Sequence, residues 1–282
     1  MATQTEQGSM SRLLKLAHKF NCFYLSGLHN GQCRPFIVEG HQVGLVRQDV
    51  LSKLHNYPDV FLVHNDAVEL NPAFRDYKER STRVDAVLRD CRKNNTFVAL
   101  RGWRDESYEV RAVFSQAPLL RMERAATCLF GIRKYGVDIN GYVMCPDRGL
   151  CVWLQKRSVT KQTWPGKLDN METALKEAAE EASIPEELLA TRLRPAGSVS
   201  FFFESERGLF PNTEFVYDLE LPLDFVPNNG DGEVESFQLM PVSEALDVIF
   251  TPEFKTTSCP VVVDFLIRHG YITPENDSLY TP

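Results

Sequence analysis

Residues Asp169–Ile184 read DNMETALKEAAEEASI. Asp169 and Glu172 stand at the spacing of a D-x-x-E capping box, which predicts a helix starting near Asn170. Met171, Ala174, Leu175, Ala178 and Ala182 recur as an apolar stripe on that helix. Glu177, Glu180 and Glu181 stand at i, i+3 and i+4, so their carboxylates share one face. Like charges at that spacing repel. Neither Glu180 nor Glu181 has a Lys or Arg four residues on, and Glu172 with Lys176 makes a single favourable pair. Spacing alone fits two readings. One is the solvated acidic face of a surface helix. The other is a site for a hard cation, which takes oxygen ligands and shares its remaining positions with water and substrate phosphate.

Outward from this helix the pattern is mixed. Before it, LFGIRKYGVDINGYVMCPDRGLCVWLQKRS holds two β-rich segments around Pro146-Asp147-Arg148-Gly149, which reads as a hairpin. After it, GSVSFFFES, TEFVYDLELP and GEVESFQLM read as strands, and PVSEALDVIF and CPVVVDFLIRHG as helices. Nearer the N-terminus, residues 9–20 have helical apolar spacing. PFIVEG and QVGLV are extended, RQDVLSKLHNY is a helix stopped by Pro58, and DVFLVHNDAVEL is β-rich with a turn at Asn65-Asp66. Residues 76–93 carry Val84, Val87, Leu88 and Cys91 on one helical face, and FVAL and YEVRAVF read as strands. The expected class is α+β: a small N-terminal α+β domain over residues 1–120, then an α/β/α sandwich with a mixed sheet over 121–282.

The chain has 282 residues, and 31 Lys+Arg against 38 Asp+Glu give a net charge of −7. That balance argues against a partner that is a nucleic acid polymer or an anionic membrane. A phosphate-bearing small molecule remains compatible, because a metal ion can supply positive charge locally. The seven cysteines are odd in number and contain no C-x-x-C, which reads as reduced thiols in an intracellular protein. Five of the six histidines precede residue 70 and none pairs with cysteines at finger spacing, so zinc is not expected. No apolar run reaches the roughly 18 residues of a membrane span. The opening MATQTEQGSMSRLL has no apolar secretory core. Glu6 and scarce arginine count against a mitochondrial presequence without eliminating it, so the expected location is cytoplasmic. Neither G-x-S-x-G nor G-x-x-x-x-G-K-[ST] occurs.

Lys176–Ile184, KEAAEEASI, resembles the second half of the Nudix box, R-E-U-x-E-E-x-G-U with U a bulky apolar residue. Lys176 takes the Arg position, Ser183 the Gly position and Ile184 the closing apolar one. LFGIRKYGVDINGYV, KRSVTKQTWPGKLDN, DGEVESF and VVVDFLIRHGYITPEN are similar to one Nudix branch, found fused to fungal thiamine pyrophosphokinase and as stand-alone proteins. NCFYLSGLHNGQCRPFIVEGHQVGLV and ALRGWRDESYEV, with Trp103-Arg104, resemble that branch's own N-terminal domain. The resemblance favours the metal-site reading of the acidic helix. It implies Mg²⁺ or Mn²⁺ on Glu177, Glu180 and Glu181. It also implies hydrolysis of a diphosphate linked to a further moiety, with Glu180 and Glu181 in the catalytic machinery.

A further Glu beyond the box often serves such enzymes as base or ligand. The local candidates are Glu233 and Glu235, which two-residue strand spacing puts on one face; a solvent-facing strand edge is the alternative. Lys156, Arg157 and Lys161 are candidates for binding substrate phosphate, against a solvated loop, and Trp164 for stacking on a planar ring, against packing. The implied substrates are small diphosphates. Oxidised thiamine diphosphate analogues going to monophosphates come first, with 8-oxo-dGDP or another nucleoside diphosphate as the neighbouring choice.

The box also departs from the branch. About a dozen residues that the branch carries, including a Gly-rich turn, are missing between Asn170 and Met171. Glycine lets backbone approach a metal-phosphate site closely. The gap therefore raises a second class of function, a catalytically impaired Nudix fold that acts as a binding protein.

Overall fold

The computed structural model describes residues 12–24, 32–172, 182–229 and 232–276. These form two compact units, one of residues 21–134 with 202–212 and the other of the remaining described chain. Both mix helices with sheet, so the class is α+β. Glu177, Glu180 and Glu181, with the rest of residues 173–181, lie outside the described residues. All seven cysteines are free thiols. No described helix is long and apolar enough to cross a membrane.

Helix α1 (Arg12–Phe20) forms at the expected apolar spacing and buries Leu16. The first unit then builds a four-stranded sheet from β1 (Cys33–Val38), β2 (His41–Arg47), β3 (Phe61–Val63) and β4 (Val68–Leu70), with α2 (Gln48–Leu54) after β2. The order is β2-β1-β4-β3. The outer pairs are antiparallel and β1 runs parallel to β4, so this sheet is mixed. Helix α3 (Tyr77–Lys93) starts where Asp76 accepts a hydrogen bond from the Glu79 amide at 2.7 Å. It buries Val84, Val87, Leu88 and Cys91, the face that the sequence marks. Phe36, Phe61 and Phe130 meet at ring separations of 4.9–6.1 Å in the core.

The expected strand FVAL is instead a 3-10 helix, Val98–Gly102. A four-residue apolar run does not distinguish the two, and here the Leu100 amide turns back to donate to the Phe97 carbonyl. The strand expected over YEVRAVF is cut short: β5 (Ser107–Val110) pairs antiparallel with β6 (Leu120–Glu123). A second 3-10 helix, Arg124–Leu129, follows.

In the second unit, β7 (Lys134–Cys145) and β8 (Gly149–Arg157) form the expected hairpin, with Cys145 opposite Gly149. Two short strands come next, β9 (Leu168–Asp169) beside β8 and β10 (Met171–Glu172) beside β7. After α4 (Glu186–Arg192), which the sequence reading did not foresee, β11 (Leu193–Ser205), β12 (Gly208–Glu220) and β13 (Val234–Pro241) complete the order β11-β12-β7-β8-β13. Helices α5 (Val242–Val248) and α6 (Cys259–Arg268) close the described chain. Alternation along β8 feeds two cores. Leu150, Val152 and Leu154 pack with Leu16 of α1, Ala245 of α5 and Phe265 of α6. Cys151 and Trp153 pack with Ile184 and with Leu188 and Leu189 of α4. The sheet thus has helices against both faces.

The helix predicted from Asn170 does not start there. Asn170 joins two strands, and Glu172 is paired with Asp138 across β10 and β7. Two side chains explain this. Met171 is buried and fills the space over Gly141, where a Cβ would lie 2.4 Å from its Sδ. The Asp169 carboxylate is buried rather than capping a helix, its Oδ2 accepting from Arg157 Nη1 at 3.0 Å and Lys255 Nζ at 2.9 Å. Backbone bonds tighten the same junction. The Leu168 amide donates to the Glu253 carbonyl, the Lys255 amide to the Leu168 carbonyl, and the Arg157 amide to the Lys167 carbonyl.

Two stability predictions follow from these contacts. At Gly44 in β2 a Cβ would lie 2.1 Å from the Phe130 carbonyl oxygen, because the next amide, Leu45, donates to that oxygen at 2.9 Å. Backbone cannot yield as a side-chain tip does, so Gly44→Ala is expected to lose about 1–3 kcal/mol in urea unfolding. Asp169→Ala leaves two buried cations without their shared carboxylate, and is expected to cost about 3–5 kcal/mol. A loss under about 1 kcal/mol in the same assay, within the range of an exposed ion pair, would mean that the junction does not depend on this carboxylate.

Candidate active site

The end of β8 and the segment from it to β9 gather four of the six described candidate residues, Lys156, Arg157, Lys161 and Trp164. The base of this segment is fixed by Arg157, which is 6% exposed and donates through Nη2 to the Thr163 carbonyl at 3.2 Å as well as through Nη1 to Asp169. Ser158 Oγ and Thr160 Oγ1 lie 2.8 Å apart in the following turn, and Lys167 Nζ donates to the Pro252 carbonyl at 2.7 Å. Arg157, expected from sequence among the phosphate-binding residues, is therefore engaged inside the protein. Lys156 and Lys161 on either side of it carry their charges outward.

Those two lysines meet the two candidate glutamates. Lys156 Nζ contacts Glu235 Oε1 at 2.8 Å, and Lys161 Nζ contacts Glu233 Oε2. The strand register makes this meeting. β13 runs antiparallel to β8 with Val234 opposite Arg157 and Ser236 opposite Lys156, and the register shifts between Val234 and Ser236. Glu235 is the extra residue of that irregularity and Glu233 precedes the strand. Val234 is buried between them while both glutamates are exposed. The result is a row of two carboxylates and two ammonium groups at one edge of the sheet.

Trp164 stands in the same segment, 36% exposed, with φ 53°. Left-handed backbone is costly for a bulky residue. Pro165 follows and Gly166 continues the turn at φ 67°. The ring is a surface group here and adds nothing to a buried core cluster.

Sequence reasoning missed Lys255 and two polar pairs on or beside the central strands. Asn170 Nδ2 donates to Asp138 Oδ1 at 2.8 Å, and Asn140 Nδ2 to Asp218 Oδ1 at 3.1 Å, all four residues lying on or beside the central strands. Lys255 is 86 residues from Asp169, with no motif linking them.

Among the described residues no set of three His, Cys, Asp or Glu side chains is placed to hold a metal ion. Glu233 and Glu235 offer carboxylate oxygen, the donor that suits Mg²⁺ or Mn²⁺. Thiol chemistry does not fit this site. Burial raises Cys33, Cys91 and Cys128 above the ordinary thiol value and pushes Cys151 up to about 11 and Cys259 up to about 12. These thiols stay protonated at neutral pH.

A family model described as a domain of unknown function, DUF4743, matches residues 12–134. Nudix hydrolase 24, chloroplastic, of Arabidopsis thaliana is 36% identical over 261 residues, covering 87% of this chain and 70% of the relative. Nudix hydrolase 20, chloroplastic, of the same plant is 35% identical over 268 residues, with coverage of 87% and 70%. Among solved structures, the NUDIX domain of Shewanella oneidensis NrtR, complexed with ADP-ribose, aligns with a TM-score of 0.39 at 13% identity, covering 50% of this chain and 90% of that one. The identity to the two plant enzymes extends over most of both partners, and on that ground the chain belongs to the Nudix hydrolase family and is a Nudix-type hydrolase.

Proposed function

We propose that this Nudix hydrolase cleaves a small diphosphate in a metal-dependent reaction. Oxidised thiamine diphosphate analogues going to monophosphates are the first substrate class, and 8-oxo-dGDP or another nucleoside diphosphate is the neighbouring one. The observation that carries the reading is the facing of Lys156 with Glu235 and of Lys161 with Glu233. Exposed pairs of this kind are worth about 0–1 kcal/mol, so a phosphate can take over the lysines at little cost. Glu233 or Glu235 is then released to accept the proton of the attacking water. Trp164 is available to stack on the planar ring of the substrate. Water adds to phosphorus, the P–O anhydride bond breaks, and the products are a monophosphate and inorganic phosphate. Glu177, Glu180 and Glu181 are the residues that would hold Mg²⁺ or Mn²⁺. When bound, the ion polarises the phosphoryl oxygens and lowers the pKa of the attacking water. The free thiols are in keeping with a cytoplasmic setting. The domain division proposed is residues 1–120 and 121–282.

A specific observation supports the second reading, an impaired Nudix fold that binds ligand without turning it over. Residues 168–172 run as β9 and β10 with Asn170 alone between them, and leave no Gly-rich turn before the acidic segment. Mg²⁺-dependent phosphate release from thiamine diphosphate analogues separates the two. Binding without release, for every diphosphate tried, would favour the second.

For the first reading, Glu180→Gln and Glu181→Gln are each expected to lower turnover by about tenfold or more, about 1.4 kcal/mol of barrier, with an unchanged circular dichroism spectrum. Mg²⁺ should raise the Tm of the unsubstituted chain by mass action, and less in either variant. Full activity in both variants would return the segment to a solvated acidic surface. Inserting a Gly-rich segment of about a dozen residues between Asn170 and Met171 should raise activity about tenfold, because small errors in phosphate placement cost large factors in rate. Equal rates for the present and extended chains would show the turn to be dispensable.

A further inference from the structure

In the first unit three arginines gather around Lys134, beside Cys128. Arg104 follows the 3-10 helix Val98–Gly102, Arg124 opens the next one, Lys134 begins β7, and Arg207 lies in the turn from β11 to β12. Arg104, Arg124 and Arg207 all act on the charge of Lys134. Arg207 reaches the 3-10 helix that precedes Arg104, its Nη2 lying 3.4 Å from where a Cβ on Gly102 would stand. The turn itself is anchored where Cys128 Sγ donates to the Arg207 carbonyl at 3.4 Å. Gly208, at φ 147°, lets its backbone pass where a Cβ would sit 2.2 Å from the Cys128 carbonyl oxygen.

The carboxylates nearby do not balance this charge. Glu106 is shared, pairing with Arg124 and reaching Arg104 at 3.9 Å. Glu123 is buried, and its Oε1 accepts from the amides of Arg104 at 3.0 Å and Ala125 at 3.1 Å, closing the turn between β6 and the helix. Lys134 faces the Phe210 ring at 5.5 Å. Neither its ammonium nor the Arg207 guanidinium has a hydrogen-bond acceptor among the described residues. Burial first, and then crowding by Arg124, Arg207 and Arg104, pushes Lys134 down to about 8, with Cys128 acting the other way. Such crowding in a chain of net charge −7 is self-repulsion that an anion would offset.

We propose that Arg104, Arg124, Lys134 and Arg207 form a binding site for a phosphate-type oxyanion in the first unit. A guanidinium fork suits paired oxygens of a tetrahedral anion, and an ammonium adds a point charge. The anion is inorganic phosphate or the phosphate of a small phosphomonoester, which present the same chemistry.

Thermal melting of the full chain tests this, with inorganic phosphate compared against sodium chloride at matched ionic strength. Phosphate at several times its Kd is expected to raise Tm by about 2–4 °C beyond chloride. Arg207→Gln and Lys134→Gln, both folded by circular dichroism, should each lose most of that rise. Lys93→Gln, at an exposed residue of neither site, should keep it. No phosphate-specific rise in the unsubstituted chain overturns the site. So does a rise that survives both Arg207→Gln and Lys134→Gln, or one lost only with Lys93→Gln. If one variant fails to fold, the other decides. A larger rise with a nucleoside monophosphate than with phosphate assigns the anion to an ester; an equal or smaller one assigns it to the free ion.

Discussion

The second unit turns on one buried carboxylate. Asp169 has no exposed surface and holds Arg157 and Lys255 with a single oxygen. An ion removed from water is tolerated only when it is paired and hydrogen-bonded, so these three charges must sit together or the junction fails. They tie the end of β8, the short strand β9 and the segment before α6 at one point. Arg157 extends the tie to the Thr163 carbonyl, and so to the segment that carries Lys161 and Trp164. The rigidity of the candidate site comes from inside the protein, through a residue whose own charge never reaches the surface.

The exposed pairs work in the opposite way. Lys156 with Glu235 and Lys161 with Glu233 are partly solvated, and ion pairs in contact with water contribute little to stability. The irregular register at the start of β13 re-aims Glu235 toward Lys156 while Val234 stays buried. Charged groups in this protein thus divide by burial. The triad that is out of water fixes geometry, and the pairs that face water contribute little to it. The arginines around Lys134 fall between these cases, short of carboxylate, which is why they stand out as a place for an anion.

The β7–β8 hairpin, the apolar face of α3 and the closing helices were legible in the sequence. Each rests on local periodicity or turn chemistry, which neighbouring residues decide among themselves. Two local readings failed for a common reason. FVAL and the D-x-x-E start at Asp169 are short signals, and short signals yield to packing. The Leu100 amide closes a turn on Phe97, and Asp169 is drawn to Arg157 and Lys255.

The sequence by itself determined the α+β class and the family resemblance carried by Lys176–Ile184, and it marked Lys156, Lys161, Glu233 and Glu235 as candidates, because side-chain chemistry and spacing are properties of the chain. Only the tertiary structure decided which lysine faces which glutamate, that Arg157 turns inward, and that Lys255 completes the Asp169 junction from 86 residues away. It also decided that Arg207 joins Arg104, Arg124 and Lys134. Partners so far apart in the chain leave no local trace, since strand register and burial bring them together only when the sheet has closed.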